Sequence, residues 1–153
     1  MVVIGSVEAE REAVLNAARL MITAARTAPK ARGDDAIITA ILTEEDKARL
    51  ADKMENIGRE RDSRDVRDAD AVVLIGVKCG EPSEALWLFK LKLIDLGIAL
   101  GSAVKIASIL NVDNRIMYSV GLAAKEMGII EGDEIVGVPL SIKGKNIFFD
   151  RRQ

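Results

Sequence analysis

The sequence predicts an α+β fold, a mixed and largely antiparallel sheet packed with helices around a long buried central helix, and three observations predict it. Two apolar runs of strand length, 36–42 and 71–77, are each bounded by turn or charged residues. Between Glu84 and Leu110 the apolar residues wrap nearly the whole helical circumference, and a helix apolar all round must be buried all round. The last of the three is a strand-rich close to the chain, where a hairpin pattern replaces the earlier alternation of strand and helix. With 153 residues, 49% of them hydrophobic, one substantial core and a single domain over residues 1–153 are expected.

The first helix runs from about Ser6 to Arg26, because Leu15, Ala18, Met21, Ile22 and Ala25 recur at spacings of three and four, and it ends before Pro29. The run 36–42 is short and β-branched, so it reads as a strand buried on at least one face. Thr43 then caps a second helix with Leu50, Met54 and Ile57 as its apolar stripe and Glu44, Glu45 and Asp46 where the dipole favours anions. Residues 59–70 alternate Arg with Asp and Glu. They read as a solvated connector, since nucleic-acid arms carry cations in excess. Residues 71–77 form a central strand covered on both faces, and the turn chemistry of 79–83 announces another helix.

That helix, if unbroken from Glu84 to Leu110, is ~40 Å long, as long as a domain of this size is wide. Part of it is therefore expected to meet another chain. Gly97 and Gly101, four apart, let a neighbouring backbone approach closely, so a homodimer through the helix from Leu93 to Val104 is expected. A membrane span is excluded by Lys90, Lys92, Asp95 and Lys105. Asp113 is placed to cap a helix over 114–127, with Gly128 as its left-handed stop. Residues 134–142 and 146–149, joined by Lys143-Gly144-Lys145, read as a hairpin in which Pro139 confines its strand to an edge or a bulge.

A formal net charge of −2 gives no field that would draw the chain to nucleic acid or an acidic membrane surface. One cysteine and no histidine exclude an internal disulfide framework, leave no metal site expected, and remove Ser–His and Cys–His nucleophilic machinery. A reducing cytoplasm is the simplest setting, and the run from Met1 to Gly5 lacks an export signal. Abundant Glu, Lys, Arg and Ile would suit a thermophile.

The stretch 24–35 alone looks built for something besides packing. Arg26, Lys30 and Arg32 sit with Pro29 and Gly33 in a connection between two core elements, a loop able to offer N–H groups and positive charge to a small anionic ligand. The same cations near a helix C-terminus also have a purely structural reading, because the dipole favours them there. Cys79 shortly before a helix admits either a lowered thiol pKa or a packing role. Trp87 and Phe89 read as core or dimer anchors or as neighbours of a ligand ring, and Tyr118 as a proton donor or a core group. No catalytic residue is marked.

At these residues the chain resembles the uncharacterised family of ferredoxin-domain-containing proteins. The likeness runs from about Ala9 to Arg151 and rests on 24–35, 71–77, 92–104, 111–118, 138–141 and 144–147. The resemblance implies a cysteine-rich insert between the central strand and the long helix, which here has shrunk to the neighbourhood of Cys79. A cluster needs about four thiolates, so no iron–sulfur cluster is expected. A weaker similarity links the chain to the nitroreductase-like flavoprotein fold, in which an Ala-Pro loop follows an amphipathic helix and a long helix forms the dimer interface beside the flavin. Ala28-Pro29 falls on that Ala-Pro. Gly33 to Asp35 replace the usual Asn and Gln, and no arginine precedes Arg11 to supply the Arg-Ser-x-Arg element before the first helix. The similarity implies FMN as cofactor, with Arg26, Lys30, Arg32, Gly33 and Arg151, joined by Arg152, as substitute contacts. Two classes of function follow: an oxidoreductase-like homodimer binding a flavin or other phosphate-bearing ligand, and a cofactor-free dimeric binding or scaffold module.

Overall fold

Strict alternation along residues 71–77 organises the molecule. In the computed structural model, which describes residues 2–83 and 85–149, strand β2 (Ala71–Val77) is buried at every position. Ala71, Val73, Ile75 and Val77 enter one core cluster, and Val72 and Leu74 enter another on the opposite face. β1 (Ile37–Leu42) flanks it on one side and β4 (Glu134–Ser141) on the other, with the two-residue β3 (Asp113–Asn114) beyond, giving the order β1-β2-β4-β3. All three pairings are antiparallel, set by Ile37 opposite Val77, Ala71 opposite Leu140 and Asp113 opposite Ser141.

Helices cover both faces of this sheet. α1 (Ser6–Thr27) and α4 (Leu86–Ile109) pack together on the first face, where Ala17, Ala18 and Ala25 of one helix and Ala99, Ala103 and Ala107 of the other are all buried. Small side chains let the two axes approach closely. α2 (Glu44–Asn56), α3 (Glu60–Asp68) and α5 (Tyr118–Glu126) cover the second face through Leu50, Met54, Val66, Val120 and Ala124. α5 lies against the β4 backbone itself: a Cβ at Gly121 would come within 1.6 Å of the Ile135 carbonyl oxygen. Gly128, at φ 65°, ends that helical segment as expected.

Four local expectations need correction. Residues 59–70 are not an open connector, because α3 buries Val66 and Ser63, and the Ser63 hydroxyl donates to the Ala51 carbonyl at 2.8 Å. Asp113 does not cap a helix; it pairs in β3, and α5 begins only at Tyr118. The terminal hairpin does not form, since residues 147–149 turn back with Phe148 buried in the second cluster while β4 takes β2 and β3 as partners. Pro139 lies in an inner strand opposite Val72. It is tolerated because β3 ends at Asn114 opposite Leu140 and the next bridge is Met117 to Gly137, leaving a gap beside the proline.

α4 is covered by its own chain along one face only. Asp95, Leu96, Ala99, Leu100, Ala103 and Ala107 are buried, whereas Leu93, Ile94, Ile98 and Ile109 are exposed. A Cβ added to Gly97 or Gly101 would meet nothing within 4 Å.

Candidate functional site

Pro29 cannot continue α1, so the chain leaves the helix at Ala28 and crosses towards β1 through a single 3-10 turn at Ala31–Gly33. Within that turn Arg32 and Gly33 both lie at positive φ, 61° and 67°. Gly33 needs its missing side chain for conformation rather than for space, as nothing lies within 4 Å of a Cβ built there. α4 holds both shoulders of the turn. The Ala31 N–H donates to Asp95 Oδ1 at 2.8 Å, and Lys92 Nζ donates to the Asp34 carbonyl oxygen at 2.6 Å and to Asp34 Oδ2 at 2.9 Å.

The three cations of the loop have separate fates. Arg26 donates from one nitrogen to Asp35 Oδ2 and to the Ile37 carbonyl, each at 2.8 Å. Burial pushes the Asp35 carboxyl up, but the Arg26 and Ile37 hydrogen bonds and the nearby charges of Arg26 and Lys30 together hold it below its usual range. The Lys30 side chain is almost wholly buried and donates to the Ala25 and Arg26 carbonyls. Arg26 and Arg32 are both exposed, but only Arg32 makes no hydrogen bond or ion pair with a described residue, its guanidinium lying 5.9 Å from the centre of the Trp87 ring. Arg151 and Arg152 lie outside the described residues.

Trp87 and Tyr118 are both well exposed, so neither is a core group. Cys79 is partly buried, and its N–H and that of Gly80 donate to Asp133 Oδ2 at 2.8 and 2.9 Å. Burial, then the charges of Asp133 and Glu134, push the thiol pKa up, the opposite of an activated thiolate.

Clefts also lie outside the loop among the described residues, and no local pattern pointed to them. One, of about 880 Å³, opens between the start of α1, the start of α2 and the end of β4. Lys47 stands on its wall, its ammonium pKa pushed down first by burial and then by Lys143. Another, of about 270 Å³, is lined by Arg59, Asp62, Arg115 and Tyr118 and by Ser119, whose hydroxyl donates to Asp62. Beside it burial, followed by the Asp62 charge, raises the Asp65 carboxyl. These residues come from 59–62 and 115–119, the segments whose secondary structure the sequence had misplaced.

Among the described residues no group of three or more acidic, Cys or His side chains could hold a metal ion, and no helix is long and apolar enough to cross a membrane. A solved relative in fold is the nitroreductase-like family protein from Bacillus cereus, with a TM-score of 0.68 at 12% identity over 90% of this chain and 79% of that one. A putative nitroreductase from Desulfovibrio desulfuricans, in complex with FMN, gives 0.66 at 16% identity over the same shares of the two chains, 90% and 79%. The mixed α+β fold is thus the nitroreductase-like one. In sequence, an uncharacterized protein of Archaeoglobus fulgidus is 39% identical over 174 aligned positions, covering 93% of this chain and 94% of the relative. The alignment is longer than the 153 residues present here, so the relative carries segments that this chain lacks. Residues 89–151 match the model of uncharacterized proteins containing a ferredoxin domain (DUF2148), and the chain belongs to that family.

Proposed function

We propose that this protein is an oxidoreductase-like homodimer that binds a flavin, or another phosphate-bearing ligand, at the loop from Arg26 to Asp35. The observation that carries the reading is Arg32, held outward on a clamped turn with its in-plane donors unused by any described residue. A guanidinium of this kind suits bidentate phosphate recognition. The nitroreductase-like fold, and the FMN held by the Desulfovibrio protein, support the choice of flavin. In this arrangement Arg32 would meet the anionic group, Gly33 would let the backbone come close, and Arg151 remains a further candidate contact. Arg26 and Lys30 stand one step back, Arg26 tying the loop to the start of β1 and Lys30 closing the end of α1. A flavin, when bound, supplies hydride and electron transfer, chemistry for which the histidine-free chain has no substitute.

An iron–sulfur centre does not fit the residues present. Cys79 is the chain's single cysteine, and a cluster takes about four thiolates.

The exposed strip of α4 through Leu93, Ile94, Gly97 and Ile98 is where a second copy would dock, completing the burial that the sequence of this helix demands. The cytoplasm is the matching compartment, since a lone thiol suits reducing conditions.

The engagement of Arg26 and Lys30 by groups of the chain itself favours a second reading, a cofactor-free dimeric binding or scaffold module, because it leaves the loop one cation without a hydrogen-bonded partner among the described residues. The visible absorbance of the purified protein followed by FMN titration separates the two. Saturable binding that R32A weakens supports the flavin reading, and no binding at ample FMN leaves the scaffold module standing.

A further inference from the structure

Asp95 is the one charged residue buried among those described, at 2% exposure, and it sits on α4 directly beneath the Ala31–Gly33 turn. Its two oxygens have different surroundings. Oδ1 accepts the Ala31 N–H at 2.8 Å, whereas Oδ2 is buried without a hydrogen bond, with Lys92 Nζ 3.9 Å away. A carboxylate kept dry with one oxygen bare is a poor choice for stability. The contact it does make lies at the one point where the turn needs holding, next to Arg32, whose left-handed backbone is uncommon for a residue with a side chain. Lys92, one turn earlier on the same helix, grips Asp34 on the other shoulder. Between these two grips Arg32 lies over Trp87, which stands in the first turn of α4.

We propose that Asp95 is the positioning residue of this loop: by holding Ala31 it keeps Arg32 over Trp87, with its donors free for an anionic ligand. The role in ligand binding rests on the function proposed above; the clamp itself does not. Asp95 touches no ligand in this account and acts only through Ala31 and Arg32. Its charge is secondary, because an amide oxygen at the same place would accept the same N–H.

Trp87 is the only tryptophan of the chain, so its emission reports on the placement of Arg32 over its ring directly. D95A should shift that emission in the direction R32A does, while D95N should match the unaltered protein. FMN affinity, measured well below the unfolding temperature, should fall about tenfold or more in D95A and stay within about threefold in D95N. If D95A emits like the parent, or melts earlier while binding FMN equally well, Asp95 is only a core residue and the proposal fails. If D95A does not fold, D95S, whose hydroxyl falls short of Ala31, is read by the same criteria. Should the parent protein bind no FMN, the functional reading falls, and the Trp87 emission still decides the clamp.

Discussion

The Lys30 ammonium donates to the Ala25 carbonyl oxygen at 2.8 Å and also reaches that of Arg26, so a cation of the loop closes the end of α1. Lys and dipole are thereby matched at a helix end whose carbonyls would otherwise lack partners. K30A should therefore lower stability by about 1–2 kcal/mol and leave FMN affinity within about threefold. R32A should do the reverse, binding FMN at least tenfold more weakly with little change in urea midpoint. Paired denaturation and titration experiments on the two variants check this.

The Arg26–Asp35 pair sets a pH dependence. Asp35 is held below its usual carboxyl range despite its partial desolvation, so its stabilising contribution is present above the unfolded-state value and lost as pH falls through the folded-state value. R26A removes a leading cause of that lowering. The stability gap between parent and R26A should be widest near neutrality and should narrow towards about pH 3, as carboxylates protonate in both states. Urea midpoints measured across that range read the gap, and one that widens on acidification contradicts the assignment.

Gly97 and Gly101 allow the proposed assembly to be tested apart from folding. Neither would bring a Cβ against anything in the single chain, and leucine is a better helix former than glycine by about 0.8 kcal/mol. The double variant G97L/G101L should keep or raise the stability of the folded chain while shifting light scattering from dimer to monomer. A dimer that survives these two leucines uses another surface.

Gly121 is the opposite case, a glycine required by contact. Any Cβ there collides with the carbonyl of Ile135, and no flexible side chain is available to yield. G121A should cost about 3 kcal/mol or more, at the severe end for overpacking, because α5 has to lift from β4. Thermal unfolding of G121A beside an alanine variant at the open Gly97 gives the comparison.

How much was legible in the sequence follows from how each element earns its stability. α1, β1, β2 and the bulk of α4 carry strong periodicity, and they lie where the pattern places them. α3 was missed because just Val66 and Ser63 turn inward, while charges such as Arg67, paired with Asp52 and Glu55, cover the rest. β4 lies where the pattern places it, but β3 was missed and the partners of β4 were misread, because strand partnership is a long-range property: the local hairpin pattern of 134–149 could not reveal that β4 slots between β2 and β3. At the loop, the residue types marked positive charge and a break after α1, whereas the left-handed backbone at Arg32 and Gly33 came only from the structure. Which cations are already engaged depended on Asp35, the end of α1 and Asp95, and of these only the Asp95 contact, 64 residues away along the chain, has no local signature. The small cleft at Arg59 and Arg115 was hidden for the same reason as α3.

The strand order β1-β2-β4-β3 also dictates a sequence of events during synthesis. β2 is complete at Val77, but the strand that seals its second edge begins only at Glu134. Until those last residues leave the ribosome, the most apolar ribbon of the protein presents an open row of amide donors and acceptors, the template on which nascent chains cross-pair. A chain cut before Glu134 would therefore end up in inclusion bodies rather than as a smaller soluble fold.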